Sequence, residues 1–471
     1  MWDKTRFINE VSAQINMPFT KDQSLAIEQI YHFLFNGGPQ SVFILKGYAG
    51  TGKTTLMGCL IRWFHSVDRK TVLLAPTGRS AKVLAAHSGY PASTIHRRIY
   101  SVKDDGSGRM SMELMANKSE RTIFIVDEAS MIGDASQSDG YFNRSLIHDL
   151  IAYVNSGEKC RLILIGDDAQ LPPVGMDLSP ALDKNELSQI TMRPVFDYTL
   201  REVVRQDKAS LILENATKLR EDIASEQWER LSLLTDRNRD VTILEQDELE
   251  DELNNAFNPD INEALIICRS NKDANQFNLQ IRVRIFDREQ IIESGDRLMV
   301  VKNNYHWKIP GRRQNFLANG DMLNIDRVYA ITEYGEFQFA ECQVSLVDEE
   351  IGSFNLILLL NSLQFEGPNL PAKELKRLRQ TMIDSGGLDP NESFEKFFQN
   401  PYFNAVQVKY AYAVTCHKSQ GGQWSKIFLF QGYLTDEMLN KALYRWIYTA
   451  ITRATSHLHL IGFHPKFLES N

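Results

Sequence analysis

Several features that mark common protein classes are absent from this sequence or scarce in it. No run reaches the roughly 18 apolar residues that a membrane-spanning helix needs, and the opening stretch MWDKTRFINE has no apolar signal region. The five cysteines form no C-x-x-C pair, which argues against a disulfide framework or a zinc site and is typical of a reducing compartment. We therefore expect a soluble, cytoplasmic protein that does not associate with membranes.

The sequence also lacks an excess of basic residues, with 52 Lys and Arg against 60 Asp and Glu. The net charge is −8 and the pI is about 5.8. Such a chain has no overall positive field that attracts nucleic acid, so any nucleic-acid contact must come from a local groove. The 471 residues, of which 43% are apolar and 24% charged, predict two or three globular domains that each bury a core.

Four short apolar runs alternate with helical patterns in the first 190 residues. The runs SVFILKG, TVLLAP, TIFIVDE and RLILIGD are typical of strands that are buried on both faces. This pattern predicts a parallel α/β sheet, which binds ligands at the carboxyl ends of its strands. The segment SVKDDGSGRMSM interrupts this core and predicts a short hairpin with its turn at DDGSG.

A second α/β pattern begins at ALIICRSN and resumes with VKYAYAVTCH, KIFLF and HLHLIGF. Between these two parts, from about residue 296 to residue 360, the pattern has period two with turn glycines. It predicts a small antiparallel barrel or sheet. A charged helix, AKELKRLRQTMI, leads back towards the second core.

The stretch GYAGTGKTT, residues 47–55, matches the pattern G-x-x-x-x-G-K-[ST]. It follows a predicted strand and precedes a helical pattern, which is the context that a phosphate-binding loop requires. Its glycines allow backbone N–H groups to surround phosphates at a helix amino terminus. In such a loop Lys53 reaches the β- and γ-phosphates, and the Thr54 hydroxyl binds Mg²⁺. The sequence therefore predicts a site for ATP and Mg²⁺.

Two more loops at predicted strand ends carry candidate site residues. In FIVDEAS, Asp127 has the usual place of the magnesium carboxylate, and Glu128 can polarise the attacking water. Because neighbouring strand residues point to opposite faces, both carboxylates can share one site only where the strand opens into its loop. In LIGDDAQLPPVG, Gln170 could contact the γ-phosphate and water, and a plain polar loop turned by two prolines is the alternative.

Gln23 has two interpretations that the residues alone leave open. Thr20 and Gln23 have the spacing of a capping box ahead of a helix. The functional alternative is an amide that pairs with the edge of adenine.

Eight motifs occur in an order that resembles superfamily 1 helicases: GYAGTGKTT, LAPTGRSAK, STIH, VDEAS, GDDAQLPP, VVRQ, AVTCHKSQGGQ and YTAITRA. APTGRSAK, STIH and HKSQG resemble the 5′-to-3′ branch of RecD-like and Dda-like enzymes. The resemblance implies two RecA-like cores. Residues 1–195 would form the first, with a strand-separating hairpin at about residues 98–120, and residues 196–297 and 405–471 would form the second. Residues 298–404 would form an SH3-like insertion with a helical return.

The resemblance also implies roles for single residues. Arg205 and Arg453 match the family's two arginine fingers, which offset charge on the γ-phosphate in the transition state. Gln23 matches the adenine reader, and Gln170 matches the glutamine that couples the ATP and DNA sites. The expected catalytic residues are Lys53, Asp127, Glu128, Gln170, Arg205 and Arg453. The expected nucleotide contacts are Gln23, Gly47, Gly50, Thr51, Gly52, Lys53, Thr54, Thr55, Gln420 and Gly421, with Thr54 and Asp127 at the metal.

Single-stranded DNA would run across both cores. The expected DNA contacts are Pro76, Thr77, Thr94 and His96 on the first core, and Thr415, His417 and Lys418 on the second. Two positions depart from the family pattern. Val204 stands where an aromatic residue often stacks on adenine, and Gln423 stands where an acidic residue is frequent.

The expected function is that of an ATP-dependent, 5′-to-3′ DNA translocase and helicase, which acts as a monomer on single-stranded and tailed duplex DNA. The alternatives are an RNA helicase and a nucleic-acid-dependent ATPase that remodels protein–DNA complexes. A P-loop kinase or metabolic NTPase is disfavoured because it supplies no second core with a distant AITRA. The intact catalytic residues disfavour a binding subunit without ATPase activity. The sequence predicts no particular protein partner.

Overall fold

The computed structural model describes residues 3–15, 18–104, 110–133, 145–204, 210–228, 231–311, 316–347, 349, 351–387, 389 and 399–470. The strands are β1 (Val42–Gly47), β2 (Thr71–Ala75), β3 (Ala92–Thr94), β4 (Tyr100–Asp104), β5 (Met110–Leu114), β6 (Ile123–Val126), β7 (Arg161–Gly166), β8 (Val195–Leu200), β9 (Leu233–Thr235), β10 (Val241–Leu244), β11 (Ala264–Cys268), β12 (Arg297–Val300), β13 (Met322–Tyr334), β14 (Phe337–Leu346), β15 (Phe354–Leu359), β16 (Val406–Tyr410), β17 (Ala413–Thr415), β18 (Trp424–Phe430), β19 (Ala454–Ile461) and β20 (Leu468–Ser470). The α-helices are α1 (Lys4–Ser12), α2 (Lys21–Phe35), α3 (Lys53–Ser66), α4 (Gly78–Ser88), α5 (Ile95–Ile99), α6 (Leu146–Ser156), α7 (Lys184–Thr191), α8 (Leu211–Ser225), α9 (Leu249–Phe257), α10 (Asn271–Arg284), α11 (Asn361–Gln364), α12 (Ala372–Asp384), α13 (Cys416–Ser419) and α14 (Lys441–Ile451).

Six parallel strands form the first sheet, in the order β3-β2-β6-β7-β1-β8. Alternate residues of β1 pack into two hydrophobic clusters: Phe43 and Leu45 pack with α2 and α3, whereas Val42 and Ile44 pack with α6. Both faces of the sheet are therefore covered, as the unbroken apolar runs predicted. Because β8 pairs with β1, the first core continues to Leu200, beyond its predicted end at residue 195.

Five parallel strands form the second sheet, in the order β10-β19-β18-β11-β17. Here too the two faces belong to different clusters. Ile267 and Leu429 pack with α8 and α14, whereas Ile266 and Phe428 pack with α9 and α10. The prediction of two parallel α/β cores is confirmed.

The strands β12 to β16 close into a five-stranded barrel inserted in the second core. The prediction of a small barrel is confirmed, but its limits differ from the expected residues 298–404, since β12 begins at Arg297 and β16 ends at Tyr410. Strand β16, which was expected in the second-core segment 405–471, therefore belongs to the barrel. The sequence hides this boundary because only Ala411 and Tyr412 separate β16 from β17, and neither is a turn-forming residue.

The hairpin predicted within the first core is formed by β4 and β5, which pair antiparallel from Tyr100 with Leu114 to Asp104 with Met110. Apart from Asp104, its predicted turn lies outside the described residues. Among the helices that the structure describes, none has both the length and the apolar character needed to cross a bilayer.

Candidate active site and strand-binding surface

A cleft of about 640 Å³ lies between the two cores, at the carboxyl ends of β1, β6 and β7. The first core contributes most of the phosphate loop, together with Asp127, Glu128 and Gln170. Residues 18–20, Gln23 and residues 202–204 also line it, and the second core contributes Gln423 and residues 452–455. The volume lies in the range that is usual for small-molecule sites.

The loop between β1 and α3 has the backbone that phosphate binding needs. Gly50 and Gly52 both have φ of +79°, a left-handed conformation that glycine adopts without strain. Gly52 is also the N-cap of α3, and a Cβ atom there would lie 2.5 Å from Nε2 of Gln23. The amino terminus of α3 opens onto the cleft at Lys53, Thr54 and residue 55, which is the favourable end of a helix for an anion.

Lys53 is held at the centre of this loop. Its Nζ donates to the backbone oxygens of Gly47 and Tyr48, the second at 2.9 Å, and lies 4.0 Å from Oδ2 of Asp167. Gly47 and Thr51 are not among the described residues that line the cleft. The Thr51 hydroxyl donates to the backbone oxygen of Tyr48 at 2.8 Å. Thr51 and Gly47 therefore make hydrogen bonds within the loop, and their contact with nucleotide stays a prediction.

Asp127 and Glu128 meet directly after β6, and both line the cleft. Glu128 has a left-handed backbone, with φ of 53° and ψ of 38°, which breaks the strand alternation at this point. Burial, and secondly the charge of Glu128, raise the pKa of Asp127 to about 7. Two neighbouring carboxylates in the cleft fit a divalent cation, because its charge would favour the ionised form of Asp127.

Gln23 takes part in both the cap and the cleft. Oγ1 of Thr20 accepts from the Gln23 backbone N–H at 3.2 Å, and Oε1 of Gln23 accepts from the Thr20 N–H at 3.1 Å, so the capping box is present. Nε2 of Gln23 donates to the backbone oxygen of Thr51 at 3.3 Å. The box thus holds the amide at the edge of the cleft, and its role as adenine reader stays a prediction. Phe19 and Val204 line the same end. Phe19 is an aromatic side chain that sequence analysis missed.

Arg453 reaches the cleft from the second core. It is only 4% exposed, and its Nη1 lies 4.0 Å from Oε1 of Glu128. Its Nε donates to the backbone oxygen of Thr449 at 3.1 Å, and Nη1 donates to that of Gly422 at 3.2 Å. These bonds hold the guanidinium group on the side of the cleft that faces the first core, where an arginine finger would have to stand. Arg205, the other predicted finger, lies outside the described residues.

Helix α14 fastens the two cores together beside the cleft. The Tyr448 hydroxyl donates to Oδ2 of Asp167 at 2.7 Å and accepts from the backbone N–H of Ala49 at 2.8 Å. Burial raises the pKa of Asp167, while the charge of Lys53 and the bond from Tyr448 oppose that rise. Tyr448 begins the motif YTAITRA, but it was not predicted as a site residue because the motif gives no sign of its partners on the other core.

Three residues predicted to lie at the nucleotide site are found at or near the junction between the cores. Gln170 lines the cleft, is 6% exposed, and has an Oε1 atom without a hydrogen-bond partner in the described part of the chain. Nε2 of Gln420 donates to the backbone oxygen of Leu171 at 2.7 Å. A Cβ atom on Gly421 would lie 2.8 Å from Cβ of Ser80, so the second core approaches the first closely here. Gln420 and Gly421 are not among the described residues that line the cleft, and their nucleotide contact stays a prediction.

The predicted DNA contacts of the first core are neighbours at the carboxyl edge of its sheet. Thr94 lies beside Ala75 in the pairing of β3 with β2, and Pro76 and Thr77 follow β2 directly. Thr77 and Thr94 are the N-caps of α4 and α5. Burial lowers the pKa of His96 to about 4, so this ring is neutral at pH 7 and offers a hydrogen bond without a charge.

The predicted DNA contacts of the second core lie at the equivalent edge of the other sheet. Thr415 ends β17, and His417 and Lys418 belong to the short helix α13 that follows. Burial lowers the pKa of Lys418 to about 8, which leaves the side chain largely protonated at pH 7. Both sets therefore occupy the carboxyl edges of parallel sheets, the usual place for ligand contacts.

Comparison with known proteins agrees with this architecture. Residues 19–239 match the family described as AAA domain, and residues 410–461 match the UvrD-like helicase C-terminal domain. The ATP-dependent DNA helicase dda of Enterobacteria phage T4 is 24% identical over 85% of this chain and 90% of the phage protein. The chain belongs to helicase superfamily 1. Within the superfamily it falls in the branch of the RecD-like and Dda-like proteins.

Two other relatives of this superfamily 1 member are longer than the chain. An uncharacterised protein from Methanocaldococcus jannaschii is 26% identical over 97% of this chain, which spans 39% of that protein. The ATP-dependent RecD2 DNA helicase of Deinococcus radiodurans is 35% identical over 29% of this chain and 16% of its own length. The chain therefore spans well under two thirds of these two relatives.

Solved structures of Pif1 helicases overlay on this superfamily 1 member at low identity. A structure of two Pif1 helicases at forked duplex DNA gives a TM-score of 0.49 at 14% identity, over 96% of this chain and 94% of the other. The Bacteroides Pif1 structure with ADP-AlF3 and single-stranded DNA gives 0.48 at 16% identity, over 97% and 95% of the two chains.

Proposed function

We propose that this chain is an ATP-driven motor that moves 5′-to-3′ along single-stranded DNA and unwinds tailed duplex DNA. The observation that carries the proposal is the shared cleft, where Arg453 of the second core lies 4.0 Å from Glu128 of the first. A nucleotide bound there would touch both cores, so its binding and hydrolysis would change how closely they pack. The relatives that are named ATP-dependent DNA helicases support the same proposal.

The residues in the cleft can divide the work of phosphoryl transfer. Lys53 and Arg453 would offset the charge of the γ-phosphate from opposite sides, and Glu128 would orient the attacking water. Thr54 and Asp127 would hold Mg²⁺, which when bound neutralises phosphate charge. In the described ranges no group of three or more His, Cys, Asp or Glu side chains could hold a metal. A Mg²⁺ ion that keeps several waters fits a site with so few protein ligands.

Movement along DNA requires grips that act on the backbone and not on particular bases. The threonine hydroxyls and Lys418 are suited to phosphate and sugar oxygens, which are present at every nucleotide. The proposed strand contacts lie on both cores. If the two sets release the DNA in alternation as the cleft opens and closes, the strand would move past the motor. We therefore expect motion that tolerates any sequence and weakens with salt.

Duplexes with a single tail test the proposal. The protein should unwind a duplex with a 5′ tail and leave one with a 3′ tail intact. ATP turnover should also rise strongly when single-stranded DNA is added. Lys53→Ala should abolish turnover and unwinding while it leaves strand binding largely intact. Unwinding of the 3′-tailed duplex alone would contradict the direction, and turnover that ignores added DNA would contradict the motor.

A further inference from the structure

A basic groove of about 570 Å³ lies at the edge of the first sheet that is opposite to the cleft, where β2 and β6 begin. The end of α3, Arg98 near the end of α5, and the segment between β5 and β6 line it. Four of its lining residues are cations, namely Arg69, Lys70, Arg98 and Lys118. None of them belongs to the nucleotide site or to the predicted strand contacts.

Two of these cations have buried donors with nothing to bind. The Nε atoms of Arg69 and Arg98 are buried and have no hydrogen-bond partner among the described residues. The guanidinium group of Arg98 makes one long bond, from Nη2 to Oγ of Ser119 at 3.4 Å. Asp68 and Glu120 also line the groove, but both are exposed and neither forms an ion pair with these arginines within the described chain. A buried donor that lacks an acceptor is costly, so a ligand that supplies acceptors would be favoured.

The wider surroundings add to the excess of positive charge. Burial, and secondly the charge of Arg121, lower the pKa of Arg69. Burial, and secondly the charge of Arg69, lower the pKa of Arg161 to about 10. These guanidinium groups therefore repel one another. An anion would relieve that repulsion, and a phosphate has the oxygens that arginine forks bind best.

We propose that this groove binds a backbone phosphate of nucleic acid, from the strand that the hairpin β4–β5 displaces. The proposal rests on the proposed function and assigns that motor a second DNA contact outside the strand path. Arg98 lies shortly before the hairpin and Lys118 shortly after it, since the hairpin begins at Tyr100 and ends at Leu114. A strand parted by the hairpin would therefore meet this groove at the hairpin's base.

The short helix α5 connects the groove to the predicted strand contacts. Helix α5 begins at the predicted strand contacts, Thr94 and His96, and carries Arg98 near its other end.

The test compares three DNAs with the full-length protein by fluorescence anisotropy over a series of salt concentrations. They are a single strand, a 5′-tailed duplex with one arm, and a fork with two arms. Arg69→Gln and Arg98→Gln should each weaken binding to the fork and lower its salt dependence by about one unit of log K per log [salt]. Binding of the single strand should not change. Arg237→Gln is the matched control, because Arg237 is 71% exposed and pairs with Glu248 on the second core at 3.3 Å.

Each outcome decides the inference. Equal loss on the fork and the single strand would place the groove in the ordinary strand path and overturn the inference, as would no loss on the fork. Inorganic phosphate is the second probe. If it raises the melting temperature of the wild type and not of Arg69→Gln, while fork binding is unchanged in both variants, the ligand is free phosphate and not nucleic acid.

Folding and motor activity need separate checks. The Arg69 side chain makes no hydrogen bond or ion pair within the described chain, so Arg69→Gln should melt at or above the wild-type temperature and carries the test if Arg98→Gln fails to fold. A protein that fails to unwind 5′-tailed duplexes but still loses fork affinity on Arg69→Gln would contradict the motor and not the groove. The reverse result would contradict the groove alone.

Discussion

Tyr448 offers a sharp test of whether the two cores are fastened at the phosphate loop. Its hydroxyl is buried between a backbone N–H of the loop, on Ala49, and the carboxylate of Asp167. Tyr448→Phe removes one bond to an acidic group and leaves the part-buried N–H of Ala49 without its acceptor from the other core. Together these losses cost about 2–4 kcal/mol of local stability.

The matched control lies one turn away on the same helix. The Tyr444 hydroxyl is also buried but has no hydrogen-bond partner in the described part of the chain. Tyr444→Phe removes the same oxygen atom from the same helix without breaking a bond, so it should be neutral or slightly stabilising. The difference between the two variants therefore isolates the bonds that cross the junction.

Hydrogen exchange at the Ala49 amide measures that difference directly. A loss of about 2–4 kcal/mol allows exchange to rise by up to roughly 30- to 700-fold in Tyr448→Phe, with no change in Tyr444→Phe. ATP turnover should fall in the first variant and not in the second, because the loop and Asp167 lose their link to α14. Equal exchange in both variants would refute the reasoning, since the hydroxyl would then not hold the loop.

The remaining predictions concern the cleft and the strand surface. Arg453→Lys should lower kcat by about 10³-fold or more and change nucleotide affinity much less, because a finger acts mainly on the transition state; stopped-flow binding beside steady-state turnover would show this, and a retained kcat would remove Arg453 from that role. Glu128→Gln should lower kcat by roughly 10²- to 10⁴-fold with ATP still bound, as measured by equilibrium dialysis, and normal turnover would mean that another group orients the water. The pKa of Lys418 is about 8, so the side chain is charged below this pH and neutral above it. DNA affinity should therefore fall from pH 7 to pH 9 in the wild type and fall less in Lys418→Arg, and identical titration curves would show that Lys418 does not contact the strand.

The prediction of the α/β cores depended on local patterns that tertiary contacts did not overrule. The apolar runs that became β6 and β7 are unbroken because both faces of a parallel sheet are covered, and this condition is visible in the sequence. The phosphate loop was equally predictable, since Gly50 and Gly52 need positive φ and Lys53 follows at a set spacing. The capping box and the adenine reader at Gln23 looked like alternatives in the sequence. The structure shows that the cap positions the same amide at the cleft.

Other features depended on which distant residues the fold brings together. The bond from Gln420 to the backbone oxygen of Leu171 could not be predicted, because it depends on the close approach of the two cores at that point. The limit of the barrel was misplaced because β16 and β17 follow each other without a turn residue. No local pattern distinguishes a strand that ends a barrel from one that joins a sheet, since both are apolar and short.

By itself, the sequence determined the parallel cores, the phosphate loop and the acidic corner at Asp127 and Glu128. Each of these is specified by residues within a few positions of one another, through strand burial, glycine backbone freedom and helix capping. Only the tertiary structure decided that the Tyr448 hydroxyl bonds to Ala49 and Asp167 and that Arg453 faces Glu128. It also decided that the buried donors of Arg69 and Arg98 line the same groove. These contacts join segments far apart in the chain, and their energies depend on burial and distance, which exist only once the chain has folded.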